Sequence, residues 1–203
     1  RLIEVKGMGA RRITVSTVGP RGYTRPLWSS GSMGGYLGAE LKYAGYDGII
    51  IRGRASAPCY LLIEDGVVRI EEARDLWGQG VFATQRILKE RHGVQHQVAA
   101  IGPAGENRVR YASIIHRLAN AIGNAGFGGV MGSKNLKAVA VRGTGGVPIA
   151  DPVGFVTAVS RVWELARGGV ACLGQPDQGY PVVACTHGCS VRCGTRVQAT
   201  HST

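Results

Sequence analysis

Between Ala119 and Lys137 the chain reads ANAIGNAGFGGVMGSKNLK, with glycines at 123, 126, 128, 129 and 132 and lysines at 134 and 137. From Asn107 to Ala150 there is no Asp or Glu, whereas Arg108, Arg110, Arg117, Lys134, Lys137 and Arg142 all fall in that window. Two readings follow from the chemistry. Glycines let backbone N–H groups approach a ligand closely, and a local cationic field favours a phosphate or another anion. Alternatively, the stretch is a glycine-rich turn packed between regular elements. It is not a P-loop, because no Gly-Lys-Ser/Thr follows a leading glycine at the required gap.

A chain of 203 residues with 44% apolar content and hydropathy near zero can bury a sizeable core. No apolar run is long enough for a membrane span or a signal peptide, so no membrane partner is expected; a cytoplasmic, reducing location is expected instead from the thiolates of the cysteine cluster described below. The net charge of +11 raises nucleic acid as a partner. Yet the basic residues form no run: residues 1–60 carry nine of them against three acids, without a repeated aromatic spacing. A phosphate-bearing cofactor explains the charge more locally, and no nucleic-acid partner is expected. The chain starts on Arg1 and stops soon after a cysteine cluster, which suggests a fragment of a longer protein.

Taken in order, Leu2–Val5 and Arg12–Val18 read as strands, and Gly19–Met33 as loop. Tyr36–Tyr43 reads as a helix stopped by Gly45, and GIIIRG after Asp47 as a buried strand. Tyr60–Ile63 and Val67–Ile70 flank Glu64-Asp65-Gly66, the plainest hairpin signal in the chain. Glu71–Trp77 and Val81–Arg91 look helical, Val98–Ile101 is a strand ending in the loop GPAGEN, Arg108–Ile115 is extended, and Leu136–Val141 is a strand. Glu106 and Asn107 are placed to cap the next element or touch a ligand. A helix starts at Asp151 with Pro152 in its first turn, and its stripe of Phe155, Val159, Val162, Trp163 and Ala166 is expected to be core. Strands and helices are mixed without regular alternation, which predicts an α+β fold: mixed β-sheets with flanking helices, and a helical domain beginning after about residue 150.

The cysteines divide into two groups. Cys59 and Cys172 read as small buried hydrophobes. Cys185, Cys189 and Cys193, equally spaced in CTHGCSVRC, suit an iron–sulfur cluster or zinc, both of which use closely set thiolates. Three thiolates leave one ligand to find, either His187 for zinc or a cysteine beyond Thr203 for a [4Fe–4S] cluster. Helical spacing without any metal is the third reading.

Four segments in order, GGYLGAELKYAGYDGIIIRGRA (34–55), ARDLWG (73–78), AAIGPAGENRVRYA (99–112) and GFGGVMGSKNLKAVAVRG (126–143), resemble the amino-terminal part of the aldehyde ferredoxin oxidoreductase family, the tungsten-pterin enzymes. The resemblance implies a tungstopterin-binding domain over residues 1–146 and the start of a helical domain over 147–203. It implies a bis-pyranopterin cofactor holding tungsten or molybdenum through dithiolene sulfurs, Mg2+ bridging the pterin phosphates, and a [4Fe–4S] cluster that passes electrons to ferredoxin or another electron-transfer subunit. Family members mostly oxidise aldehydes to carboxylic acids. One branch resembles the catalytic subunit of ATP-independent benzoyl-CoA reductases and acts on an acyl-CoA. A homodimer or larger complex is expected. A non-catalytic remnant that binds zinc through the cysteines is the alternative outside enzyme chemistry.

Residue by residue, Arg12 fits the family's arginine on the strand before a Ser-Pro-type turn, here Gly19-Pro20. The family's Asn-x-Gly-Gly pterin contact falls on Ser32, Met33, Gly34 and Gly35, with serine replacing asparagine. Its second pterin loop, Arg-Ala-x-Gly-Arg, falls on Asn120, Ala121, Ile122, Gly123 and Asn124, with asparagine in place of both arginines. That change weakens charge pairing with the pterin phosphates and leans toward the benzoyl-CoA-reductase-like branch. Cys185, Cys189 and Cys193 match the cluster cysteines, though the family spacing is Cys-x2-Cys-x3-Cys; the one-residue shift moves a thiolate by about 3.5 Å. No general acid or base is assigned. His116 and His187 are candidates only by default, and each reads better as structural or as a supporting donor.

Overall fold

In the computed structural model, residues 3–8, 12–20 and 27–165 are described. The described residues up to Val147 form one compact unit, and those from Pro148 onward belong to a second. The first unit is built on two sheets. A four-stranded antiparallel sheet has the order β3-β2-β1-β4, from β1 (Ile3–Met8), β2 (Arg12–Gly19), β3 (Leu27–Met33) and β4 (Gly48–Ile51). A six-stranded mixed sheet has the order β6-β5-β10-β7-β8-β9. Its strands are β5 (Cys59–Glu64), β6 (Val67–Glu72), β7 (Gln97–Ala100), β8 (Ile114–His116), β9 (Asn120–Ile122) and β10 (Leu136–Arg142). Within it only β5 and β10 run parallel; the other pairs are antiparallel. The expected α+β class is what the chain adopts.

Burial explains this layering. Strand β2 alternates strictly, with Ile13, Val15 and Thr17 inward and polar or half-exposed residues outward, as a sheet with one covered face requires. Its inward residues meet Leu61, Ile63, Ala99, Ile114 and Val141 of the larger sheet in one core, with Leu37 and Leu41 of helix α1 (Leu37–Tyr43) wedged alongside. The opposite face of the larger sheet carries Tyr60, Leu62, Val98, Ala100, Ala138 and Ala140, covered by Leu88 of helix α2 (Val81–His92) and by Leu76. Strand β5 is therefore buried on both faces and reads as a continuous apolar run. Two short helices, α3 (Pro103–Glu106) and α4 (Phe127–Ser133), pack on each other beside β10.

The hairpin at Asp65-Gly66 forms as expected: Glu64 pairs with Val67, and both turn residues have positive φ, 42° and 87°. Five local expectations are corrected. Leu27–Met33 is strand rather than loop, because it pairs along its length with β2 from Ile13 to Gly19, and this pairing overrides its serine- and glycine-rich composition. Glu71 and Glu72 finish strand β6, and the chain then turns at Ala73–Trp77 instead of forming a helix. The GPAGEN loop contains the single turn α3, and the extended reading of Arg108–Ile115 holds only from Ile114, since Arg108 has φ 59° and the chain turns there. Helix α5 (Pro152–Leu165) starts where expected, but Phe155 and Val162 of its stripe are 51% and 64% exposed. The described part of that unit is this helix and its lead-in, which offer the stripe no second surface. Among the described residues no helix is long and apolar enough to cross a membrane.

Candidate functional site

The glycines between Ala119 and Lys137 serve two purposes. Those in α4 are packing devices. A Cβ on Gly128 would stand 2.5 Å from the Ser113 carbonyl oxygen, on Gly129 2.9 Å from that of Val109, and on Gly132 1.9 Å from that of Gly105. Helix α4 thus lies directly on the backbone of the 105–113 segment, and Gly128 N–H donates to Ala112 O at 2.9 Å. Gly123 differs: it is exposed, and only the Ser113 hydroxyl, at 3.7 Å, approaches where its Cβ would be. The backbone is thus open to approach in the 120–124 loop and closed along the helix.

The two lysines are also internal. Lys134 is buried and donates from Nζ to Gly53 O at 2.8 Å. Lys137, fully buried, donates to Gln79 O at 2.7 Å and pairs with the Glu106 carboxylate, whose other oxygen accepts the Gly78 N–H at 2.8 Å. Burial pushes both ammonium groups below the ordinary lysine range, opposed at Lys137 by Glu106. Glu106 thus pins the 78–79 turn rather than touching a ligand, and Asn107 caps backward onto Pro103 O.

The residues matched to the first pterin contact lie along the β2–β3 hairpin. Arg12 opens β2, and its Nη2 donates to the Ser32 hydroxyl at 3.3 Å. The outward face of this hairpin is lined with hydroxyls: Thr14 pairs with Ser32, Ser16 with Ser30, and the last two share a 2.8 Å hydrogen bond. Gly34 and Gly35 follow β3 directly. Those matched to the second contact are Asn120, Ala121, Gly123 and Asn124, in β9 and the loop after it.

Three close contacts bring the two groups together. A Cβ on Gly19 would meet Ala125 O at 2.5 Å, and one on Gly31 would meet Ile122 Cγ2 at 2.6 Å and Phe127 Cε2 at 2.7 Å. One on Gly35, whose φ is +102°, would meet His116 Cδ2 at 2.5 Å and Asn120 Nδ2 at 3.1 Å. The hairpin is thus seated on β9 and α4 along its length, and only glycine allows that approach at Gly31 and Gly35. Arg110 adds a tie, donating from Nε to Pro20 O at 3.0 Å. Ser32, Ala121, Gly123 and Asn124 remain exposed beside this seam, with Arg12 and Asn120 partly so. A guanidinium, hydroxyls and two carboxamides with open backbone between them suit a polar ligand bearing phosphates, held more by hydrogen bonds than by charge.

His116, the histidine named only by default, sits beneath this seam. It is fully buried; Nδ1 lies 2.9 Å from Val98 O and Nε2 3.3 Å from the Tyr36 nitrogen. Arg117 stacks over the Tyr36 ring at 5.0 Å from its centroid. Burial, with the nearby cations Arg117 and Lys89, holds the imidazole below the ordinary histidine range, against the opposing hydrogen bond to Val98. As pH falls below about 6.5 the unfolded chain takes up a proton that the folded chain refuses, so stability drops with falling pH until the folded group itself titrates. The expected result is a melting temperature that declines from pH 7 toward pH 5, with a flatter slope in His116→Gln; equal slopes in both proteins would remove His116 from the account. No spacing rule marks this residue in the sequence, because its partners come from strand β7 and from the turn before α1.

Cys185, Cys189, Cys193 and His187 lie outside the described residues. Among the described residues no group of three His, Cys, Asp or Glu side chains is placed to hold a metal ion. Cys59 is buried, as expected, and burial raises its thiol above the ordinary range.

The chain has clear relatives. Residues 2–143 match the family described as "Aldehyde ferredoxin oxidoreductase, N-terminal domain". The tungsten-containing aldehyde ferredoxin oxidoreductase of Pyrococcus horikoshii is 47% identical over 152 residues, which are 74% of this chain and 25% of that protein. A Pyrococcus furiosus protein named aliphatic sulfonate oxidoreductase, WOR-like subunit, is 48% identical over 125 residues, 55% of this chain and 20% of that one. Among solved structures, the active site complex BamBC of benzoyl coenzyme A reductase, in complex with 1,5-dienoyl-CoA, superposes with a TM-score of 0.77 at 40% identity. That match covers 82% of this chain and 26% of the other. The chain thus spans about a quarter of the length of the relatives it matches.

Proposed function

The chain belongs to the aldehyde ferredoxin oxidoreductase family through its N-terminal domain, and from that premise we propose that residues 1–146 grip a bis-pyranopterin cofactor carrying tungsten or molybdenum. The hairpin residues Arg12, Ser32, Gly34 and Gly35 are one wall of the cradle, and Asn120, Ala121, Gly123 and Asn124 the other. The observation that carries this reading is the seam itself: both segments singled out in the sequence meet at Gly35 and Asn120, with polar groups exposed along the joint. A bound Mg2+ would supply positive charge that Asn120 and Asn124 do not. Residues 147–203 begin a helical domain in which Cys185, Cys189 and Cys193 are three ligands of a [4Fe–4S] cluster.

When bound, the metal centre would supply two-electron redox chemistry and the cluster, held by Cys185, Cys189 and Cys193, one-electron chemistry suited to ferredoxin or another electron-transfer subunit. This chain's own residues supply position and electrostatics rather than bond-making groups. The leading activity for the whole protein is oxidation of aldehydes to carboxylic acids, in the cytoplasm and as part of a homodimer or larger complex. A second reading, reduction of an aromatic acyl-CoA, is favoured by the likeness to the benzoyl coenzyme A reductase complex and by asparagine at 120 and 124. Assay of the full-length protein with both substrate classes separates the two.

The cradle is tested by Arg12→Ala and Asn120→Ala in the full-length protein, purified anaerobically and passed through gel filtration. Each variant removes hydrogen bonds to a charged group, worth about 1.5–3 kcal/mol, so retained tungsten is expected to fall well below wild type while the fold persists. Unchanged metal content in both variants would show that these walls do not hold the cofactor.

A further inference from the structure

His116 occupies an unusual place for a core histidine. Its strand partners are Ala99 on one side and Asn120 on the other. Its ring has a polar contact at each nitrogen. Val98 O can only accept, so Nδ1 carries the hydrogen; Tyr36 N–H can only donate, so Nε2 presents its lone pair. The two contacts demand the same neutral tautomer, and they join elements far apart in sequence: strand β7 of the larger sheet and the turn that leaves the smaller one. Gly35 lies flat against the ring edge, where a Cβ would stand 2.5 Å from Cδ2 and 2.8 Å from Nε2. The same Cβ position is 3.1 Å from Asn120 Nδ2, so Gly35 closes at once on the imidazole and on the opposite wall of the seam.

We propose that His116 is a positioning residue that fixes the Gly34–Tyr36 turn against strand β9, so that the two walls form one cradle only while Nε2 is free to accept the Tyr36 N–H. The assignment rests on the reading of these walls as cofactor-binding. A proton on Nε2 converts the acceptor into a second donor facing the Tyr36 N–H, and the turn loses its anchor. The charged groups whose fields reach the ring are Arg117, from its own turn, and Lys89, from α2; both oppose that proton. The device therefore keeps the cradle closed through the neutral range and opens it in acid.

The test uses the full-length protein and two substitutions of different reach. His116→Asn keeps a donor for Val98 O but is too short to meet Tyr36; His116→Gln extends an acceptor oxygen toward it. Amide hydrogen exchange at Tyr36 is expected to quicken at least about tenfold in His116→Asn and to return toward wild type in His116→Gln. Tungsten retained after anaerobic gel filtration should follow the same order. In the wild type, Tyr36 exchange corrected for its intrinsic rate should rise between pH 8 and pH 4.5, which keeps the test decisive even if neither variant folds. Exchange at Tyr36 that ignores both substitution and pH would overturn the proposal, and so would faster exchange with unchanged tungsten. If exchange responds as expected but the wild type holds neither tungsten nor molybdenum, the anchor stands and the cofactor reading fails.

Discussion

Replacing Gly132 with alanine is expected to destabilise the chain by more than about 3 kcal/mol, enough to remove most soluble folded protein. On helix propensity alone the change should help, by about 1 kcal/mol, because alanine is the better helix former. Packing decides otherwise. The added Cβ would lie 1.9 Å from the Gly105 carbonyl oxygen and 2.7 Å from its carbon, and a Cβ on Gly105 would in turn stand 2.8 Å from Ile101 Cβ and 3.0 Å from Gly128 O. These are backbone atoms of two helices in mutual contact, so neither can move without the other. Gly146→Ala is the control: nothing lies within 4 Å of its Cβ position, and the change should stay within about 0.5 kcal/mol. Thermal unfolding of the two variants beside the wild type makes the comparison. Similar melting temperatures for Gly132→Ala and the wild type would mean that α4 does not rest on α3 as described.

The second large effect lies at the buried ion pair. The Lys137 and Glu106 side chains are 0% and 4% exposed. Removing one member of such a pair strands a charge without solvent, and about 3–5 kcal/mol is the usual loss. Glu106→Gln keeps an acceptor for the Gly78 N–H yet leaves the ammonium uncompensated, and Lys137→Met leaves the carboxylate so. Each is expected to cost that amount in chemical denaturation. The double variant should cost markedly less than the sum, because both charges leave together. Additive losses would show that the two side chains do not act as a pair.

These two sites also explain how far the sequence could be read. The absence of acids from Asn107 to Ala150 suggested a cationic field for a ligand, but Glu106, one residue outside that window, neutralises Lys137 in the folded chain. Sequence spacing cannot reveal a pairing made by strand β10 crossing over a helix turn. The glycines carried a real signal whose meaning depended on position: Gly128, Gly129 and Gly132 face backbone, whereas the Cβ position of exposed Gly123 meets only the Ser113 hydroxyl, at 3.7 Å. Strong local patterns survived folding, as with the Asp65-Gly66 hairpin, the alternation of β2 and the Pro152 helix start. Strand β3 was hidden, because serine and glycine are poor strand formers and the segment is held by its partner β2 and by the Gly31 approach to Ile122 and Phe127. The family was legible from long matched segments, and the residues matched to its two pterin contacts lie on segments that meet in the fold. Their meeting point at His116 was not, since it depends on how the two sheets come together.

The most direct measurement is the metal content of the full-length protein, purified anaerobically and counted per chain by elemental mass spectrometry. The account predicts about one tungsten or molybdenum with about four iron, the stoichiometry of one pterin-bound metal and one [4Fe–4S] cluster. Zinc at one equivalent, with neither tungsten, molybdenum nor iron, would contradict it. The fold and family would then stand on a chain that binds zinc through its cysteines and carries no redox centre.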